Sequence, residues 1–495
     1  MRPGFYEVCA RSGRLWIHAW DEHRSLCRRI SGIRGLRRDR LELTVERLGG
    51  RPGKLWLADQ GHPAAAEVIC KGVRLAFQER VRDWLARWFP DWRIRELSTE
   101  PDLENSLSPL YPRALLARGT GLLAAIASPN GARPGDVLTF GLLWLEYLRR
   151  RDPNAFPRLA LFVPYGEHSC ICQRARYLDP ARVALELFAY TPEDCGPVDL
   201  RDWGNVEAGL PVLVSAQPPD ELADALHAVP AGKVLRAPDG SLRLRVKGIE
   251  LARVTSGTAW YGLHRRTPLR PREVSGLRLL AAEVARRRCA RTGDPRDPLF
   301  SRAPEAWLED QVREDPRVID PILRSEPIYN QVPHWSGLER GVLDLLAVDH
   351  RGRLAVIELK ASADPHLPFQ ALDYWLRVRW HQERGNFTAR GYFPGILLAP
   401  DPPRLYLVSP AMEFHSSTEQ ILRYWDPAVE VERVGVSAAW RTRLEVVLRA
   451  RGHERPDAFA SLGANQENRA GVPGMSEESR MEAQQEEAAG NPAKR

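Results

Sequence analysis

Lysine is scarce. Only six of the 71 basic residues are lysine (Lys54, Lys71, Lys233, Lys247, Lys360 and Lys494), and the rest are arginine. In a chain that uses arginine by default, a lysine inside a regular element stands out, because its compact ammonium does what a planar guanidinium fork does not. Cysteine is sparse and odd in number: Cys9, Cys27, Cys70, Cys170, Cys172, Cys195 and Cys289. That count excludes a disulfide framework and predicts a reduced, cytoplasmic protein. Long apolar runs are missing; none reaches the roughly 18 residues that a spanning helix needs, so no membrane partner is expected. The opening "MRPGFYEVCARSGRLWIHAW" is interrupted by charge where a secretory leader would be apolar. No Walker loop, helicase motif or methyltransferase glycine loop is present, so no ATP-driven step is indicated. Aromatics are absent from about Ala460 onward, and the Gly-, Ser-, Glu- and Gln-rich tail over 460–495 is predicted to be disordered.

What remains is long enough for several cores. A chain of 495 residues predicts two to four domains, and its net charge of +7 favours acidic partners. An internal repeat organises it. "ARYLDPARVALELFAY" (175–190) matches "LRYWDPAVEVERVGV" (422–436), sharing Arg-Tyr-x-Asp-Pro-Ala from Arg176 and Arg423. "FGLLWLEYLRRR" (140–151) parallels "FQALDYWLRVRW" (369–380), and "GTGLLAAIAS" (119–128) parallels "RGRLAVIELK" (351–360). Each half opens with a β-rich piece, which predicts a tandem duplication over roughly 1–215 and 232–460.

The chemistry concentrates in "GVLDLLAVDHRGRLAVIELKAS" (341–362). It reads as two strands, 341–348 and 353–360, around a turn in which Gly352 takes positive φ. Side chains alternate along a strand, so Glu358 and Lys360 share a face, and Asp344 on the neighbouring strand stands across from them. Two carboxylates and an amine among apolar residues are costly unless an ion compensates them. Oxygen-only ligation of that kind suits Mg²⁺, with the Leu359 carbonyl as a further ligand and Mn²⁺ as a substitute.

An Asp, a variable hairpin and then Glu-x-Lys resembles the signature of the PD-(D/E)xK nuclease superfamily. The local wording is similar to its RecB-like branch, which includes mismatch- and flap-cleaving endonucleases. The likeness covers about residues 300–400. It includes a helix glutamate in "WLEDQV" (Glu309, with Glu305 as its rival), a strand like "YNQVP", and a Gln-x-x-x-Tyr helix at Gln370 and Tyr374. Leu343 stands where the name-giving proline would be. The resemblance implies a restriction-endonuclease-like α/β sandwich with a central mixed sheet. It also implies Mg²⁺-dependent hydrolysis of nucleic-acid phosphodiesters, DNA above all, in repair or defence. Asp344, Glu358 and the Leu359 carbonyl would hold the metal, with help from Glu309. Lys360 and Gln370 would orient water or phosphate, and Tyr374 and Arg377 would touch the backbone. A catalytically silent nucleic-acid-binding or scaffolding protein of the same fold is the alternative.

On this basis the expected plan is a β-rich piece over 1–75, a nuclease-like domain over 76–215, a second β-rich piece over 232–295 and the nuclease domain proper over 296–459. Counting from Gly121 and Gly352 sets Ala127 opposite Glu358, Pro129 opposite Lys360 and Gly141 opposite Gln370, so the first copy is expected to lack the metal site. A single competent site predicts a homodimer if both strands are cut. Residues 394–400, "PGILLAP", read as a strand, as does Cys170-x-Cys172, whose thiols are expected to be small buried hydrophobes. Arginine clusters at 34–40, 149–151, 263–272 and 286–288 are expected to be mostly solvated faces.

Overall fold

The computed structural model describes residues 5–454, apart from 12–13, 21–24, 38–39, 47–51, 59–62, 103, 134, 153–157, 208, 214–219, 256, 295 and 337–338. The tail expected to be disordered, 460–495, lies outside these residues.

Four sheets alternate between two kinds. The first is an antiparallel meander of β1 (Phe5–Arg11), β2 (Arg14–Trp20), β3 (Ser25–Arg37), β4 (Arg40–Glu46) and β5 (Pro52–Ala58). After α1 (Pro63–Trp88) comes a mixed sheet of β6 (Arg93–Ser98), β7 (Arg113–Arg118), β8 (Gly121–Ala127), β9 (Arg158–Pro164), β10 (Leu185–Tyr190) and β11 (Cys195–Val198). Helices α2 (Asp136–Arg151) and α3 (His168–Ala175) link its parallel strands. Helix α4 (Asp220–His227) leads to a second meander: β12 (Lys233–Arg236), β13 (Leu242–Val246), β14 (Ile249–Val254), β15 (Ala259–Tyr261) and β16 (Thr267–Pro268). Helices α5 (Val274–Arg287) and α6 (Pro304–Glu314) precede a second mixed sheet. Its strands are β17 (Tyr329–Ser336), β18 (Glu339–Val348), β19 (Leu354–Leu359), β20 (Arg404–Pro410), β21 (Val431–Val436) and β22 (Val446–Arg451). Helices α7 (Leu367–Glu383), α8 (Asn386–Ala389) and α9 (Ser417–Leu422) connect them.

Both mixed sheets keep sequential strand order and the same directions. In each, two antiparallel pairings precede two parallel ones, and a last antiparallel strand closes the edge. Central strands buried on both faces need unbroken apolar runs, and "LAVIEL" of β19 is buried at all six positions. The segment 394–400, expected as a strand, pairs with no strand. It runs past the hairpin turn, where the Ala399 N–H donates to the Gly352 carbonyl.

Each sheet has helices on both faces. Val81, Trp84 and Leu85 of α1 pack on one face of the first sheet, and Trp307, Leu308 and Val312 of α6 pack on one face of the second. The remaining two faces share one core, in which Leu142, Leu145 and Ile171 join Leu372, Ile421 and Leu422. That junction explains why α2 is apolar around nearly its whole circumference: it lies between layers rather than over water. No helix among the described residues is long and apolar enough to cross a membrane.

Candidate active site on the second mixed sheet

Alternation along β18 and β19 decides where the charges go. Leu346, Val348, Leu354 and Val356 face the shared core under α7, whereas Leu345, Ala347, Ala355 and Ile357 face α6. Asp344 and Glu358 fall in the first series. Register pairs Leu345 with Ile357, which brings the two carboxylates opposite one another at the end of the ladder. Asp344 Oδ2 accepts the Leu359 N–H at 2.9 Å. Lys360 follows directly, its Nζ 3.8 Å from Glu358 Oε1 and 3.8 Å from Asp364 Oδ2. Gly352 turns the hairpin at φ 84°, and a Cβ there would collide with the Leu397 carbonyl.

Glu358 is 2% exposed, and its Oε2 has no hydrogen-bond partner among the described residues. Burial pushes the Asp344 carboxyl up to about 7; the Leu359 N–H and the Lys360 charge oppose this, and the Glu309 and Glu305 charges add to it. Burial, then the charge of Asp344 and hydrogen bonding with it, raise Glu358 well above the carboxylate range. Burial works against the Lys360 ammonium, but Glu358, Asp364 and Asp344 outweigh it and hold its proton more tightly than usual. The two carboxyls hold protons because too little positive charge stands near their ionised forms, the condition under which a cation is taken up as protons leave.

Helix α7 covers the pocket, with Pro368 in its first turn where no N–H is needed. Burial raises the Tyr374 phenol, and the charges of Glu358 and Asp344 raise it further, so this ring lies in the field of the site. Gln370 has a buried side-chain oxygen without a partner among the described residues. Arg377 is half-buried and turns back to the Asp373 carbonyl at 3.0 Å, so the structure ties it to its own helix rather than to the carboxylates.

Glu309 acts by charge on Asp344 and also has partners outside the cluster. Its Oε1 receives Arg245 Nη1 at 2.8 Å and Asn330 Nδ2 at 3.0 Å, while Arg245 also reaches Asp310 at 3.1 Å. Arg245 comes from β13, so Glu309 joins the second meander to α6. Glu305, one turn earlier and half-buried, acts by charge on both Asp344 and Lys360. Sequence reasoning passed over Asp364 and His366. Asp364 flanks Lys360, and its Oδ1 accepts the His366 N–H at 2.9 Å. His366 Nδ1 in turn lies 3.3 Å from Asp136 of the first half. The Asp-x-His step beginning four residues after the lysine was the available signal.

The first sheet shows the same place without the charges. The Lys360 N–H closes its ladder on the Val408 carbonyl and the Ser128 N–H on that of Phe162, which makes Ser128 the counterpart of Lys360 and Ile126 that of Glu358. The expected partners, Ala127 and Pro129, are each one residue out. Arg113 pairs with Ile126 where Asp344 faces Glu358. It is 6% exposed and donates to the Glu100 carbonyl at 2.6 Å. A Cβ at Gly141 would lie 3.2 Å from Ile126 and 3.0 Å from Leu161, so this glycine lets α2 press onto the sheet. Cys170 and Cys172 lie on α3 rather than a strand, and two residues apart on a helix do not share a face. Burial pushes the Cys172 thiol up to about 11, as expected of an inert small hydrophobe.

No group of three His, Cys, Asp or Glu side chains arranged to hold a metal occurs among the described residues. Mg²⁺ needs less, since one or two carboxylates with waters and phosphate suffice. Asp344 and Glu358, with an orphaned buried oxygen between helix and sheet, fit that requirement. The sequence matches no protein-family model and no curated protein.

Proposed function

We propose that this protein is a metal-dependent endonuclease that hydrolyses DNA phosphodiester bonds at the Asp344–Glu358–Lys360 cluster. One observation carries the reading: two carboxyls held face to face in a strand interior, Glu358 buried and Asp344 half-buried, both with raised pKa, beside an ammonium that only partly balances them. A fold does not gain stability from such a pair, so its value lies in what it binds. Asp344 and Glu358 would hold Mg²⁺, with the Leu359 carbonyl beside them. The ion, when bound, supplies Lewis acidity toward the phosphate and a more acidic water. Lys360 keeps its proton and presents a point charge to the phosphate or to the attacking water. Asp364 steers that ammonium, and Gln370, one turn before Tyr374 on α7, would orient water or phosphate from the covering helix. Tyr374 remains a neutral phenol able to donate a hydrogen bond to a phosphate oxygen, and Glu305 adds charge at the rim. Cys172, Cys195 and Cys289 are free thiols among the described residues, in keeping with a cytoplasmic enzyme.

We further propose that the two halves descend from one duplicated unit, a meander followed by a nuclease-like sandwich, and that the first copy has lost its chemistry. Matching strand orders and the repeated Arg-Tyr-x-Asp-Pro-Ala support this. The test of function is cleavage of labelled duplex, mismatched, flapped and single-stranded DNA with Mg²⁺ or Mn²⁺. Wild type should cut at least one of these substrates, and Asp344→Asn and Lys360→Ala should bind but not cut. If wild type is as inert as the variants on every substrate and with both metals, the protein is a silent binding or scaffolding form instead.

A further inference from the structure

The two halves meet through the same elements on each side. The Asp179 N–H donates to the Tyr424 carbonyl at 2.8 Å, and the Asp426 N–H donates to the Tyr177 carbonyl at 2.9 Å. Leu178 and Trp425 form a bridge between these hydrogen bonds. The repeated motif therefore pairs with itself. The same helices are joined in each direction, although the ion pairs that cross do not stand at equivalent positions: Arg174 of α3 forks onto Asp373 of α7 at 2.7 and 2.9 Å, and Arg423 beyond α9 reaches Glu146 of α2 at 2.6 Å. Such reciprocity is what two copies of one unit show across a twofold axis. Here the chain satisfies it internally, and the shared core covers the face that a separate copy would need.

Only one of the two related positions is equipped. Asp344, Glu358 and Lys360 occupy the second, while Arg113, Ile126 and Ser128 seal the first under the close approach at Gly141. Duplex strands are antiparallel and related by local twofold axes, so a twofold protein offers one centre to each strand. Resting on the nuclease reading, we infer that this protein nicks one strand of a duplex in each encounter and leaves the other intact. In that step water adds across one P–O ester bond. Its oxygen joins phosphorus and its proton goes to the departing sugar oxygen, leaving a terminal phosphate and a free hydroxyl. The opposite strand meets the Arg113 side, where Arg113 and Ile126 stand in place of the two facing carboxylates.

Supercoiled plasmid incubated with the full chain and Mn²⁺ separates the outcomes. Nicked circles should accumulate until the supercoiled form is gone, with linear DNA arising only after a lag through independent second encounters. In mixtures with inactive Asp344→Asn protein, the nicking rate should fall in proportion to the wild-type fraction. Linear DNA formed without a lag, or a rate falling with the square of that fraction, would overturn the inference while leaving the nuclease reading standing. No cutting at all, with wild type indistinguishable from Asp344→Asn on this plasmid and on the oligonucleotide substrates, would remove both.

Discussion

Two mixed sheets of one design sit in this chain, and they differ most where a sheet should tolerate difference least. On the second, a buried strand end carries Asp344 opposite Glu358; on the first, the same ladder position carries Arg113 opposite Ile126. The first sheet shows that the architecture closes without acidic residues there. It also shows what packing prefers: an isoleucine, a close helix and a single guanidinium satisfied in part by a carbonyl. The second sheet forgoes that arrangement. Where local rules are broken against an available alternative, function is the usual reason.

The sharpest way to break the comparison is to make the second site resemble the first. Asp344→Asn, Glu358→Gln or Lys360→Ala should each lower the cleavage rate by about 10³-fold, the scale of losing one preorganised electrostatic contact at the reacting phosphate. DNA affinity, read by fluorescence anisotropy, should stay within a few-fold. A comparable fall in affinity would assign these residues to binding rather than chemistry.

The seam between the halves offers the next largest effect. Arg174 is almost fully buried in its fork onto Asp373. Arg174→Ala should therefore cost about 3 kcal/mol in urea unfolding, because it removes the buried fork together with the bond to the Gly135 carbonyl. Arg423, which crosses the seam to Glu146, keeps about a third of its side chain exposed. Arg423→Ala should cost about 1 kcal/mol or less. Equal costs would mean that the two crossings are not graded by burial.

How much of this was legible beforehand follows from how local each signal is. The hairpin, its glycine and the facing carboxylates were readable because strand alternation and turn chemistry act over a few residues. The partner of the helix glutamate was not, because Arg245 lies 64 residues upstream on another sheet. The first half was misaligned by one position because its hairpin turn, Gly119-Thr120, is three residues shorter than that spanning 349–353. A count from the glycines carries that difference into the strands, whereas the match of "RLALFVP" (158–164) to "RLYLVSP" (404–410) fixes the register correctly. The Cys170–Cys172 segment misled because a short helix and a short strand both suit so few residues.

Acidity gives a third, smaller test. The folded Asp344 carboxyl titrates near 7 against an ordinary 3.8, so between those values the folded state holds a proton that the unfolded chain has released. Stability of the metal-free protein should then be full below about pH 4 and fall as pH rises toward 7, with Glu358 acting in the same direction. Asp344→Asn should remove much of that slope, gaining about 2 kcal/mol at pH 8 in chelator, and should also lose the stabilisation that Mg²⁺ gives wild type. Parallel pH profiles for wild type and variant would show that this carboxyl is not strained by burial.

The smallest effect is expected at Arg113, and it bears most directly on what the first half does. Its guanidinium donates to Glu100, lies over the Trp144 ring at 5.7 Å, and has two nitrogens without partners among the described residues. Burial lowers its pKa, so the charge is a burden there rather than a support. Arg113→Met keeps the volume and removes the burden, and should change stability by no more than about 1 kcal/mol in either direction. Cleavage should be untouched, since the residue faces the sealed position. If Arg113→Met folds normally yet loses cleavage, the first half contributes a cation to the reaction, and the contrast between a working sheet and a silent one gives way to a single site built from both.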